Sequence, residues 1–214
     1  MIGWLARWRA GPAAAPTRWV VLDVESSGLD PQHDRLLAIA ALAVQADAGG
    51  VRLQPGDSFE VLLRQHDLPA APDRANILVH GIGVQAQRQG QDPAKALQAF
   101  ESFVGTAPLV AFHAGFDRVL IERHLKAVLG RRLPNPWLDL ADLAPVLCPQ
   151  VRAQALDEWL AHFGLRVAVR HQAASDTWAT AELLQCLWPR LRAQRAGTDF
   201  RAVARLAASR RWLA

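Results

Sequence analysis

The segment Val20-Val21-Leu22-Asp23-Val24-Glu25 constrains this chain more than any other. An otherwise apolar run of this length suits a short buried strand, and strand alternation places Asp23 and Glu25 on the same face of its end. Two like charges held side by side repel each other unless a proton or a cation neutralises them. A hard divalent ion is the simplest partner, because such ions favour carboxylate oxygens. The competing reading is a solvated strand end that enters a turn at Ser26-Ser27-Gly28.

Around this segment the apolar pattern predicts a mixed α/β fold. Residues 19–23, 36–44 and 59–63 are apolar runs separated by turn formers such as Gly28, Pro31, Gly49, Gly50, Pro55 and Gly56, which predicts three strands in an antiparallel meander. Asp92-Pro93 is a helix start signal, and residues 94–104 then follow helical apolar spacing. Residues 109–112 form a brief apolar run that suits a strand reached by crossover. In 115–129, Phe116, Leu120, Ile121, Leu125 and Leu129 fall on one helical stripe. Segments 140–147, 156–163 and 177–191 complete a mostly helical second half, so helices pack on a mixed sheet.

With 214 residues, 51% of them hydrophobic, the chain can bury one continuous core. That core is expected over 18–191, between a basic tail and Ala-Pro linker at 1–17 and a basic helical segment at 192–214. The net charge of +4 is uneven: residues 1–18 carry three Arg and no acid, and 190–214 carry seven Arg against Asp199, which leaves the middle at −5. An acidic body with basic flanks suits contact with phosphates, and solvated tails would read the same. No run approaches the roughly 18 apolar residues of a membrane span, and no apolar core follows the N-terminal charges as in a secretory signal. Cys148 and Cys186 lack zinc-ligand spacing, and a reducing, cytoplasmic setting is expected.

Three further residues qualify as partners of the acidic pair. Asp117 follows the 109–112 strand in the first turn of a helix, where the helix dipole alone favours a carboxylate. His171 and Asp176 precede the helix expected from Thr177; read singly, Asp176 is an N-cap and His171 a loop residue. Taken in order, Asp-x-Glu on a first strand, Phe116-Asp117 after a later one and His171-x4-Asp176 before a late helix resemble the DnaQ-like 3′→5′ exonucleases. The match is to the histidine-bearing subtype of the DEDD group, as in the exonuclease domain of the DNA polymerase III epsilon subunit. Gly28-Leu29 with Asp34, Val79-His80-Gly81-Ile82, Leu138 through Leu143, and Leu156 through Leu165 extend the resemblance over residues 18–191.

The resemblance implies a ribonuclease H-like sheet, three antiparallel strands followed by parallel additions, with flanking helices. It implies two Mg²⁺ or Mn²⁺ ions on Asp23, Glu25, Asp117 and Asp176, with Asp23 shared and His171 as general base. The expected substrates are 3′ ends of single-stranded DNA or RNA, DNA foremost, and the products nucleoside 5′-monophosphates. Ser26 and Ser27 replace the family's usual Thr-Thr near the bound 3′ end, followed by Gly28. Leu29 either stacks beneath the terminal base or belongs to the core, and His80 either touches substrate or serves a turn. Phe112-His113 stands where relatives carry His-Asn, leaving His113 as a replacement donor. Trp159, Trp178 and Trp188 lie on expected helices, where packing is the default, and are not counted as binding residues. Association with a DNA polymerase fits the resemblance, and the sequence does not set the oligomeric state. The rival readings are a catalytically idle nucleic-acid or polymerase-binding module on the same fold, and another metal-dependent phosphoesterase.

Overall fold

A computed structural model describes residues 17–68, 74–167, 169–195 and 197–212. Of the tail and linker expected at 1–17, residues 1–16 lie outside the described residues and Thr17 opens the first strand. Strand β1 (Thr17–Ser26) pairs antiparallel with β2 (Leu36–Ala46), which pairs antiparallel with β3 (Val51–Leu62). Helices α1 (Arg74–His80), α2 (Val84–Gln89) and α3 (Pro93–Val104) follow. The chain then adds β4 (Leu109–Ala111) parallel to β1, α4 (Ala114–Leu129), and β5 (Trp137–Asp139) parallel to β4. Helices α5 (Leu140–Leu147), α6 (Leu156–His162), α7 (Ala173–Ala193) and α8 (Phe200–Ala208) complete it, ahead of a short 3₁₀ turn. The sheet order β3-β2-β1-β4-β5 is the expected ribonuclease H-like arrangement, with β1 at its centre.

The differences from expectation have local causes. β5 is three residues long and apolar only at Trp137 and Leu138, too short for a periodic signal. β3 begins eight residues earlier than its apolar run because it sits at the sheet edge. There Pro55 and Gly56 are tolerated, and the pairing with β2 shifts register between Leu42 and Val44. Helices α1 and α2 are short and carry no apolar stripe, so neither was legible.

Alternation along β1 sorts its side chains into two layers. Val20, Leu22 and Val24 join Leu97, Phe100, Leu120 and Ile121 beneath α3 and α4. Trp19 and Val21 join Leu143, Trp159, Leu184, Trp188 and Val203 on the other face, under α5 to α8. Trp19 meets Trp188 and Phe200 edge-on at centroid distances of 5.5 and 5.1 Å. Several Arg of the basic ends are committed to this body: Arg18 pairs with Asp57 at 2.7 Å, Arg190 lies over Phe163, and Arg210 pairs with Asp142 at 3.0 Å. Among the described residues no helix is long and apolar enough to cross a membrane.

Candidate active site

Asp23 and Glu25 continue the row of Trp19 and Val21 past the point where the core ends. Their cross-strand partners are Ala40 and Ala38, whose small side chains leave the space above the sheet open. A cleft of about 460 Å³ forms there, and Asp23, Glu25, Asp117, His171 and Asp176 all line it. Leu29 and His113 also reach it, and Val24, Phe112 and Phe116 supply its apolar walls.

Asp117 is placed by an unpaired strand amide. The Val20 N–H donates to Pro108 O, so the even-numbered amides of β1 face β4. β4 ends at Ala111, and the Val24 N–H beyond it is taken up by the Asp117 carboxylate from the first turn of α4. The chain reverses between β4 and α4 at His113, whose φ of 63° is left-handed. Asp139 secures this turn: its Oδ1 accepts the His113 N–H at 2.9 Å and the Ala141 N–H at 2.9 Å, capping α5 as well. In the sequence Asp139 stands out only as one residue of the 138–143 stretch.

The third segment corrects an expectation. α7 begins at Ala173, not near Thr177, so Asp176 lies inside its first turn and Gln172, not Asp176, is the N-cap residue. Ala173 and Ala174 are strong helix formers, and the Ala173 N–H, which no residue of its own helix can accept, donates to Glu25. Asp176 turns back instead: its Oδ2 accepts the His171 N–H at 3.1 Å, where His171 has a left-handed φ of 60°, and its Oδ1 accepts from Arg170 Nη1. Arg170 also donates through Nε to Asp157. No spacing rule marked Arg170; its only signal was a cation next to His171.

Burial dominates the electrostatics of the acids. The Asp23 carboxyl is held well above the usual carboxylate range, first by its enclosure, then by the charges of Asp117 and Glu25, with Arg170 opposing. Glu25 is pushed up to about 8 by burial and the Asp117 charge, against the Ala173 N–H and the Arg170 guanidinium. Asp117 also rises to about 8 through burial, although its own N–H and that of Val24 pull it down. Asp139 is raised by burial too. Carboxyls that raise one another in this way form an oxygen-only donor set whose charges a divalent cation would relieve, and in that sense they fit one. They are not a finished cage: among the described residues no three His, Cys, Asp or Glu side chains already surround one point as ligands.

The other expected contacts divide. Leu29 is 93% exposed at the cleft, so it is not core. Ser26, Ser27, Gly28 and His80 do not line the cleft. Ser26 Oγ donates to Gly28 O, and Ser27 Oγ donates to Asp34 Oδ1 at 2.9 Å while accepting the Arg35 N–H at 2.9 Å. A Cβ on Gly28 would stand 2.5 Å from Asp34 Oδ2, so these three residues build the loop that presents Leu29. His80 is buried at the end of α1; its Nδ1 accepts the Ile82 N–H at 2.9 Å, which leaves Nε2 to donate to Asn76 Oδ1 at 2.7 Å. Burial lowers its pKa, consistent with a neutral structural ring. Trp159 and Trp188 are buried, but Trp178 is 41% exposed, against the default for a helical Trp.

Comparison with known proteins bears on the family and the fold. The exonuclease family named RNase_T matches residues 20–184. A DNA polymerase III subunit epsilon-like protein of Rhodobacter capsulatus is 33% identical over 86% of this chain and 25% of its own length. A PolC-type DNA polymerase III of Oceanobacillus iheyensis is 29% identical over 81% of this chain and 12% of its own. The chain thus spans a quarter or less of these two relatives. In fold it is similar to E. coli exonuclease I in complex with a dT13 oligonucleotide, with a TM-score of 0.65 and 20% identity over 82% of this chain and 42% of that one. The family match takes in β1 from Val20 onward and all three acidic segments, and the chain belongs to the DnaQ-like exonuclease family.

Proposed function

We propose that this protein is a divalent-metal-dependent 3′→5′ exonuclease that shortens single-stranded DNA and releases nucleoside 5′-monophosphates. The observation that carries this reading is the meeting of Asp23, Glu25, Asp117, His171 and Asp176, from three distant segments, in one cleft. Asp23, Glu25, Asp117 and Asp176 are the residues that would hold two Mg²⁺ or Mn²⁺ ions. Such ions supply Lewis-acid chemistry at a scissile phosphate and generate hydroxide at neutral pH. His171, exposed at the rim of the cleft, takes the proton of the attacking water, a task suited to an imidazole within reach of the acids. Leu29 and Phe116 offer apolar surfaces to a terminal nucleotide, and His113 offers a polar edge. Ser26, Ser27 and Gly28 serve substrate through the loop they shape, and His80 through the packing of α1.

The test uses 5′-labelled single-stranded DNA and RNA with Mg²⁺ or Mn²⁺. A ladder shortening from the 3′ end, faster on DNA and lost with EDTA or with Asp23→Ala, is the expected result. Substrate left intact under every condition refutes the reading in favour of a binding module on the same fold. The names of the two relatives support a DNA polymerase as partner, which co-purification with the replicative polymerase would check.

A further inference from the structure

We infer that Arg170 is a displaceable counterion of the acidic cleft, which must leave Asp176 before that carboxylate can ligate a divalent cation; the inference rests on the metal-dependent reading above. The guanidinium forks between two acids, Nη1 to Asp176 and Nε to Asp157 in the first turn of α6. Asp176 is only 9% exposed and Arg170 23%, whereas Asp157 is 59% exposed. One arm of the fork therefore reaches into the site and the other rests at the surface. With Oδ1 on Arg170 and Oδ2 on the His171 amide, both oxygens of Asp176 are engaged within the protein.

An ordinary surface ion pair would contribute little and interfere with nothing. This pair differs because its acid is buried among other acids, and the Arg170 charge also opposes the raised pKa values of Asp23 and Glu25. Arg170 thus stands where it does part of a cation's electrostatic work on Asp176. Two cations that draw on the same carboxylate compete, and linkage makes the competition reciprocal. Asp157, through the second arm of the fork, steadies Arg170 against Asp176. Arg170 acts through Asp176 and is a positioning residue, not a catalytic one.

The experiment is calorimetric titration of Mn²⁺ into the metal-stripped 214-residue chain, with Arg170→Gln, Asp157→Asn and Asp23→Ala alongside the wild type. Arg170→Gln is expected to bind Mn²⁺ about tenfold tighter, in the usual range of coupling between sites. Its thermal midpoint should fall in EDTA and return to the wild-type value with saturating Mn²⁺. Asp157→Asn, which loosens Arg170 without touching the cleft, should tighten binding about two- to threefold and decides the question if Arg170→Gln does not fold. Unchanged or weaker Mn²⁺ binding in these variants, with wild-type binding intact and lost in Asp23→Ala, overturns the counterion and leaves the metal site standing. A wild type that binds no Mn²⁺ overturns both.

Discussion

The two halves of β1 present one face of one strand to two opposite environments. Trp19 and Val21 stand across from Val44 and Leu42 and are completely buried; Asp23 and Glu25, next in the same row, stand across from Ala40 and Ala38. In the first half every neighbour fills space, and the aromatic contacts with Trp188 and Phe200 add to burial. In the second half the neighbours are small, and enclosure works against the charged groups. Stability is gathered at one end of the strand and given up at the other, four residues away. The rigid half holds the carboxylates in place, so the penalty of crowding them cannot be relaxed by local movement.

The contrast breaks most easily at its stable end. Trp19→Ala should lose about 3–5 kcal/mol of unfolding free energy, the usual range for deleting a buried aromatic. Urea denaturation measures this, and Mg²⁺ should not restore it, because the lost contacts are apolar. A loss near zero would mean that the Trp19 row does not anchor the strand.

The acidic end should show itself through pH. Carboxyls with folded pKa values raised to about 8, as for Glu25 and Asp117, bind more protons in the folded than in the unfolded chain from about pH 4.5 upward. Stability of the metal-free protein must therefore fall as pH rises through that window. We expect the thermal midpoint in EDTA to drop by about 5–10 °C between about pH 5 and pH 8, and the drop to shrink with saturating Mg²⁺. A midpoint that rises over the same interval contradicts the assignment of the acidic half.

Asp23→Asn sharpens the comparison by reversing its sign. Replacing an acid that is crowded by Asp117 and Glu25 should stabilise the metal-free protein by about 1–3 kcal/mol at pH 8 while abolishing the 3′ ladder. Denaturation in EDTA reads the first effect and gel electrophoresis the second. Loss of both stability and activity would place Asp23 among the packing residues, with Trp19.

What the sequence disclosed follows the same division. Long apolar runs carry period, and β1, β2, α3 and α4 were legible for that reason, whereas the three acidic segments were legible through the family resemblance of their order. β5 and α1 are too short to carry one, and the start of α7 was hidden because its first amide is capped by Glu25, some 150 positions away in the chain. Arg170 resembled any loop cation until the fold laid it across Asp157 and Asp176. His80 and Leu29 each offered two readings that spacing could not separate. In the fold the His80 ring lies inside and the Leu29 side chain outside.

The smallest stability effect belongs to the residue that owes least to either half of the strand. Leu29 sits on the loop after β1, held by Ser27, Asp34 and the Arg123 contact with Pro31 O, and its own side chain is 93% exposed. Leu29→Ala should change unfolding free energy by less than about 0.5 kcal/mol, as is usual for an exposed site. Yet the side chain faces the cleft, and its loss should raise KM for single-stranded DNA about three- to tenfold with kcat nearly unchanged, the mark of uniform binding lost. Steady-state kinetics and denaturation on the same preparation separate the two quantities. A fall in stability with unchanged KM would mean that the loop packs through Leu29 and that substrate is gripped elsewhere, whereas the expected split shows an exposed leucine kept for contact with the strand being shortened.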